Sequence, residues 1–181
     1  TGFIRYLIEQ GDKICVVTRP RRFGKTLMLR TLQTFFEYVL DDEGKPVDNR
    51  RYFDGLKVME AGEDVLKEMG QYPVISLSLK GMRNNSEDDM LTKLKAALGK
   101  ACQPHRYLLS SPELSEQEKL HFSRLLDRLL TQAECEDALG DVCEWIYKAT
   151  KRQTVILLDE YDVPLQYAAI HDIHHPGDNL F

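Results

Sequence analysis

Two kinds of apolar spacing alternate along this chain. Leu27, Leu29, Leu32, Phe35 and Phe36 recur at helical intervals, as do Phe122, Leu125, Leu126, Leu129 and Leu130, and again Ala138, Val142, Trp145, Ile146 and Ala149. Each set marks one face of an amphipathic helix, the kind of face that packs into a core. Among them lie short runs of strand type: Ile14 to Val17, Val74 to Leu79 broken by serines at alternate positions, and Val155 to Leu158. The last is unbroken, the pattern of a strand buried on both faces in a parallel sheet. The spacing predicts strands over about 13–18, 74–79 and 155–158. It predicts helices over the first dozen residues to Gly11, over 25–39, over 60–69 with Gly70 at C′, over 86–101 with Ser86 as N-cap, and through most of 104–151. Ser115 and Glu118 form a capping box ahead of one of these, and Asp41 to Pro46 reads as an exposed acidic turn. Helices alternating with apolar strands make an α/β fold with a mostly parallel sheet.

The chemistry begins where the first strand-like run ends. Residues 13–26 read Lys-Ile-Cys-Val-Val-Thr-Arg-Pro-Arg-Arg-Phe-Gly-Lys-Thr, and the helical pattern starts directly after them. A strand, a loop closed by Gly-Lys-Thr and a helix hold a nucleoside triphosphate: backbone N–H groups and the positive helix end face the phosphates, a lysine reaches the terminal ones, and a hydroxyl ligates Mg²⁺. Gly24, Lys25 and Thr26 match the end of the pattern G-x-x-x-x-G-K-[ST], but its first glycine falls on Arg19. Glycine suits that position because it tolerates positive φ; here Pro20 fixes the next φ and biases Arg19 toward extended backbone. The candidate nucleotide-binding set is Arg21, Arg22, Phe23, Gly24, Lys25, Thr26 and Leu27. Lys25 is the expected phosphate-binding cation and Thr26 a magnesium ligand. Phe23 is expected to pack beneath the loop.

Residues 154–162, Thr-Val-Ile-Leu-Leu-Asp-Glu-Tyr-Asp, supply the complement. Asp159 and Glu160 end an apolar strand, where open α/β sheets place ligands. An acid there holds Mg²⁺, usually through water, and a following glutamate can orient or deprotonate the attacking water. Asp159 therefore joins Thr26 as a candidate metal-site residue, and Glu160 joins Lys25 as a candidate catalytic group. Arg21 and Arg22 either touch phosphates or pair with Asp159, Glu160 or Asp162. Asp162 and Tyr161 either support these groups from behind or belong to a polar loop. The two motifs in this order predict a P-loop NTPase-like three-layer sandwich. A glutamate after the magnesium-site aspartate resembles the class with a further, later strand between the two motif strands. None is read after Asp159: either that strand is missing here, the favoured expectation, which leaves sheet and site incomplete, or the two motif strands touch directly.

Together these segments resemble the predicted AAA-ATPase-like family. The resemblance rests on Arg-Pro-Arg-Arg-Phe-Gly-Lys-Thr at 19–26, Thr-Gly-Phe-Ile at 1–4, Phe-Asp-Gly-Leu at 53–56, Tyr-Pro-Val-Ile-Ser-Leu at 72–77 and Asp-Glu-Tyr-Asp-Val-Pro-Leu at 159–165. Arg19 departs from the general P-loop pattern but not from the version found in this family. The resemblance implies ATP and Mg²⁺ as cofactors and hydrolysis that drives conformational change in attached domains. A nucleotide-binding switch without turnover is the alternative. Relatives often continue into further ATPase strands and a domain similar to PD-(D/E)xK nucleases, so residues 1–181 are expected to be part of an ATPase domain. Nucleic acid would then be reached only through such an extension, since no nuclease residues match here. Self-association is a further implication.

Composition narrows the partners. A chain of 181 residues, 43% apolar and 29% charged, fits one globular domain. A net charge of −5 argues against broad binding to nucleic acid or an anionic membrane, while the local cluster Arg19, Arg21, Arg22 and Lys25 suits one triphosphate. No run approaches the ~18 apolar residues of a membrane span. Cys15, Cys102, Cys135 and Cys143 lack metal-like spacing and suit reduced thiols in a cytoplasmic protein, with Cys15 in the core. His171, His174 and His175 have no second ligand cluster and are expected in a flexible tail rather than a zinc site.

Overall fold

A computed structural model describes residues 1–11, 14–18, 23–39, 46–82 and 87–163 of the chain. Its elements are α1 (Gly2–Gln10), α2 (Lys25–Phe36), α3 (Glu63–Leu66), β1 (Val74–Ser78), α4 (Glu87–Cys102), α5 (Glu116–Leu126), α6 (Gln132–Thr150) and β2 (Val155–Asp159). They form a mixed α/β architecture around a two-stranded sheet. Two units divide the chain, Thr1–Ser76 with Cys143–Leu157 and Leu77–Val142 with Leu158 onward, so the boundary falls inside β1, α6 and β2.

The first unit has a core of its own. Ile4 of α1, Leu32, Phe35 and Phe36 of α2, Phe53 and the strand residues Val74 and Leu157 are buried together. Phe35 meets Phe36 and Phe53 edge-on at ring separations of 5.1 and 5.6 Å, the arrangement that the ring quadrupoles favour. α1 stops where Gly11 turns left-handed at φ 65°, with its N–H reaching the Leu7 carbonyl at 3.3 Å. α2 stops three residues short of the expected 39, because the backbone leaves to pair with the approach to β1. Tyr38 N–H donates to Tyr72 O at 2.8 Å and Tyr72 N–H to Phe36 O at 2.9 Å. The helix expected over 60–69 is broken by Gly62 at φ 94° into a 3₁₀ turn, Lys57–Glu60, and the single turn α3. Gly70, at φ 67°, donates to Phe35 O at 2.8 Å instead of capping a helix of its own.

β1 and β2 run parallel in strict register. Near their start Val155 N–H donates to Pro73 O at 2.9 Å, and at their end Leu79 N–H donates to Asp159 O at 3.0 Å. Pro73 stands at the entry to the strand, where its missing N–H costs least. Arg152 braces this entry: its guanidinium donates to Gln71 O at 2.7 Å and lies 4.2 Å from the centre of the Tyr38 ring.

The second unit is mainly helical. α4 and α5 approach closely at Gly99, where an added Cβ would sit 3.1 Å from Leu125 O and 3.2 Å from Leu126 O. The capping box forms as expected: Ser115 Oγ accepts from Glu118 N–H at 3.3 Å, and Glu118 Oε2 accepts from Ser115 N–H at 2.8 Å. Glu134 performs the same service for α6, accepting from Thr131 N–H at 2.6 Å while Arg124 grips both of its oxygens at 2.6 and 2.9 Å.

Several sequence expectations change. Residues 14–18 form no strand: among the described residues nothing pairs with them, and Ile14 is 83% exposed with Cys15 exposed beside it rather than in a core. A strand-forming composition does not suffice without a neighbour to complete the ladder. β2 is not buried on both faces, since Ile156 and Leu158 are 39% and 42% exposed. The stripe through Leu130 loses Leu129, which is 64% exposed because α5 ends at Leu126 and Arg128 turns left-handed at φ 64°. Ser86 and most of the acidic turn at 41–46 lie outside the described residues, as do Arg19 to Arg22 and the three tail histidines.

Candidate functional site

In the first unit the described part of the candidate nucleotide loop is Phe23, Gly24 and the start of α2. Gly24 is left-handed at φ 73°, and its carbonyl accepts the first helical bond, from Met28 N–H at 2.9 Å. An added Cβ there would meet nothing within 4 Å, so glycine answers a backbone demand rather than a shortage of space. Among the described residues no side chain caps the start of α2, and its first turn contains no acid. A helix start of this kind carries positive potential, and Lys25 is its first helical residue. Lys25 is half-buried, while Thr26 and Leu27 are exposed. Phe23 is 67% exposed and so does not pack beneath the loop.

The far end of α2 is anchored. Its last turn is tied to the entry of β1 through Phe35 O, Phe36 O and Tyr38 N–H, and Leu32, Phe35 and Phe36 pack with Val74 and Leu157. The start of α2, with Lys25, therefore points away from the sheet entry. Glu37, at the anchored end, takes hydrogen bonds from Gln33 at 3.2 and 3.4 Å; burial nonetheless pushes its carboxyl above the usual range.

In the second unit Asp159 ends β2, half-buried, with its carbonyl held by Leu79 N–H. Glu160 follows at φ 53°, in the left-handed region that the Cβ of an L-residue disfavours. Its carbonyl accepts from the N–H of buried Val163 at 3.1 Å, closing a tight turn just after the two carboxylates. Tyr161 is exposed and Asp162 half-buried on that turn. The register also sets Ser78 directly beside Asp159, a neighbour that the sequence does not single out because alternating serines read as an ordinary solvent face.

Thr26 in the first unit and Asp159 in the second each carry an oxygen donor, the ligand type that Mg²⁺ prefers. Among the described residues no group of three or more His, Cys, Asp or Glu could hold a metal, and no helix is long and apolar enough to cross a membrane. A cavity of about 480 Å³ beside α1 and α3 is lined by Glu9, Glu63, Asp64 and Glu68 against one cation, Lys67, a net negative rim that disfavours a triphosphate.

Residues 1–176 match the sequence family described as Predicted AAA-ATPase. The chain belongs to that family. It is also similar to a protein of Azotobacter chroococcum mcd 1 named "Uncharacterized protein in vnfD 5'region", at 29% identity over 172 residues, which are 91% of this chain and 25% of that protein. The chain thus spans a quarter of the length of that relative. No solved structure matches.

Proposed function

We propose that this AAA-ATPase family member binds Mg·ATP and hydrolyses it to drive conformational change in attached domains. The observation that carries the reading is the start of α2: a left-handed Gly24, an uncapped and acid-free first turn, and Lys25 at its head. Phosphate oxygens take the positive end of the helix, Lys25 holds the β- and γ-phosphates, and Arg21 and Arg22 add local positive charge. Thr26 and Asp159 would hold a magnesium ion, which would neutralise charge on the transferring phosphoryl group. Glu160 accepts a proton from the water whose oxygen attacks the γ-phosphorus. The β–γ bridging bond breaks, releasing ADP and phosphate. The described strand pair then belongs to a three-layer P-loop sandwich with further parallel strands.

Saturating Mg·ATP stabilises a protein that binds it only when folded, by about 2.7 kcal/mol at a hundred times Kd. The melting temperature of the full-length protein is expected to rise accordingly, and the rise to vanish in Lys25→Ala. An unchanged melt in the unsubstituted protein would refute binding. Phosphate release should fall at least a hundredfold in Glu160→Gln, by the general-base contribution. Equal release by both, with ATP still bound, would leave a nucleotide switch without turnover.

A further inference from the structure

The end of α5 is closed by its own backbone. Arg128 N–H donates to Leu125 O at 3.1 Å and Leu129 N–H to Arg124 O at 2.8 Å, the paired bonds of a Schellman turn. Glycine is the usual residue at the left-handed position of such a turn; here it is Arg128, at φ 64°. The backbone N–H of Arg128 does the capping, so its guanidinium is not needed for it. Among the described residues that guanidinium makes no hydrogen bond and no ion pair.

The stem of Arg128 runs against α4. Its Cγ lies 3.6 Å from the point where a Cβ on Gly99 would stand. Here a cavity of about 360 Å³ opens between the second half of α4 and the end of α5, all within the second unit. Its polar side chains are Lys100, Gln103 and Arg128; the other lining residues are alanine, glycine and leucine, and no carboxylate takes part. Among the described residues Lys100 makes no ion pair either. Gln103 Oε1 accepts from Arg106 at 3.4 Å, which leaves the amide N–H groups of Gln103 to donate. The chain as a whole carries a net charge of −5, so this positive lining is a local feature and not a reflection of overall balance.

The lining sets the ligand class. Two cations without a counter-charge suit a dianion, a guanidinium gripping two of its oxygens and a lysine adding a point charge. A phosphate monoester carries roughly −1.5 to −2 at pH 7, more than the single charge of a carboxylate. The apolar part of the wall, with buried Leu126, seats an organic substituent.

We propose that this cleft binds a small organic phosphate, held by Arg128 and Lys100 with the Gln103 amide as a further donor. The site shares no residue with the candidate nucleotide set and does not rest on the Mg·ATP reading.

The test is calorimetric titration of phenyl phosphate into full-length Lys25→Ala protein in EDTA, which lacks the cation of the Gly-Lys-Thr loop. Phenyl phosphate is expected to bind, and to bind about tenfold less tightly once Arg128→Gly or Lys100→Ala is added. Glycine suits the left-handed turn, so Arg128→Gly removes the guanidinium without endangering the fold. Lys151→Gly is the control: it removes one positive charge at another left-handed position, φ 56°, that lines no part of this cavity, and should keep the affinity. No binding, an affinity unchanged by Arg128→Gly, or an equal loss in Lys151→Gly would each overturn the proposal. Benzoate binding as tightly as phenyl phosphate would overturn the dianion, and inorganic phosphate binding as tightly would overturn the seat for an organic group.

Discussion

Glu160 stands directly after the strand in backbone that glycine would adopt more easily, at φ 53°. Holding a non-glycine residue there costs about 1–2 kcal/mol, and glycine gives back roughly 0.5–1 kcal/mol through its greater freedom when unfolded. Glu160→Gly should therefore stabilise the chain by about 0.5–1 kcal/mol, which raises Tm by roughly 1–4 °C for a protein this size. Glu160→Gln keeps the strained backbone and removes only the charge, so its Tm should stay within about a degree of the starting protein. Both substitutions should abolish phosphate release. The pair separates two contributions of one residue, the fold's backbone strain and the chemistry's carboxylate. Arg128 and Lys151 occupy the same backbone region at φ 64° and 56° without lying at the strand end, so glycine at either should stabilise and leave turnover intact. Differential scanning fluorimetry with a phosphate-release assay reads all four variants. A lower Tm in Glu160→Gly would refute the claim that this turn is strained.

Three further outcomes follow from the packing. The Thr131 backbone and the Arg124 guanidinium hold the Glu134 carboxyl down to about 2, so its contribution is full above pH 4.5 and is lost as pH falls toward 2; the Tm deficit of Glu134→Gln should shrink over that interval. Burial raises the Glu37 carboxyl, so ionised Glu37 costs stability at neutral pH and the cost disappears as pH falls through its folded value toward 4.5; Glu37→Gln should melt higher than the starting protein at pH 7 and level with it near pH 4. Arg152→Ala loses the Gln71 carbonyl bond and the Tyr38 ring contact, about 2 kcal/mol together, visible as a lower urea midpoint with unchanged slope.

Features decided within a few residues of each other were legible in the sequence. Gly11, the Ser115–Glu118 box and the Gly24–Lys25 helix start form as their local chemistry requires. What was not legible depends on partners far along the chain. The end of α2 is set by Tyr72, thirty-six residues after Phe36, and the partly open face of β2 by what packs on Ile156 and Leu158. The run Ile14 to Val17 has strand composition but no neighbour among the described residues, and composition records only half of a ladder. The place of Ser78 beside Asp159 was hidden for a related reason: it is set by the register with a strand 81 residues later, which no local pattern encodes.

One measurement bears on the site as a whole: broadening of amide NMR signals by Mn²⁺ bound as Mn·ATP. The paramagnetic ion should broaden the signals of Gly24 to Leu27 and those of Ser78, Asp159 and Glu160 together, and Lys25→Ala should leave both groups sharp. Broadening confined to one group, with the other sharp at saturating Mn·ATP, would mean that the Gly-Lys-Thr helix start and the Asp-Glu strand end do not share a nucleotide.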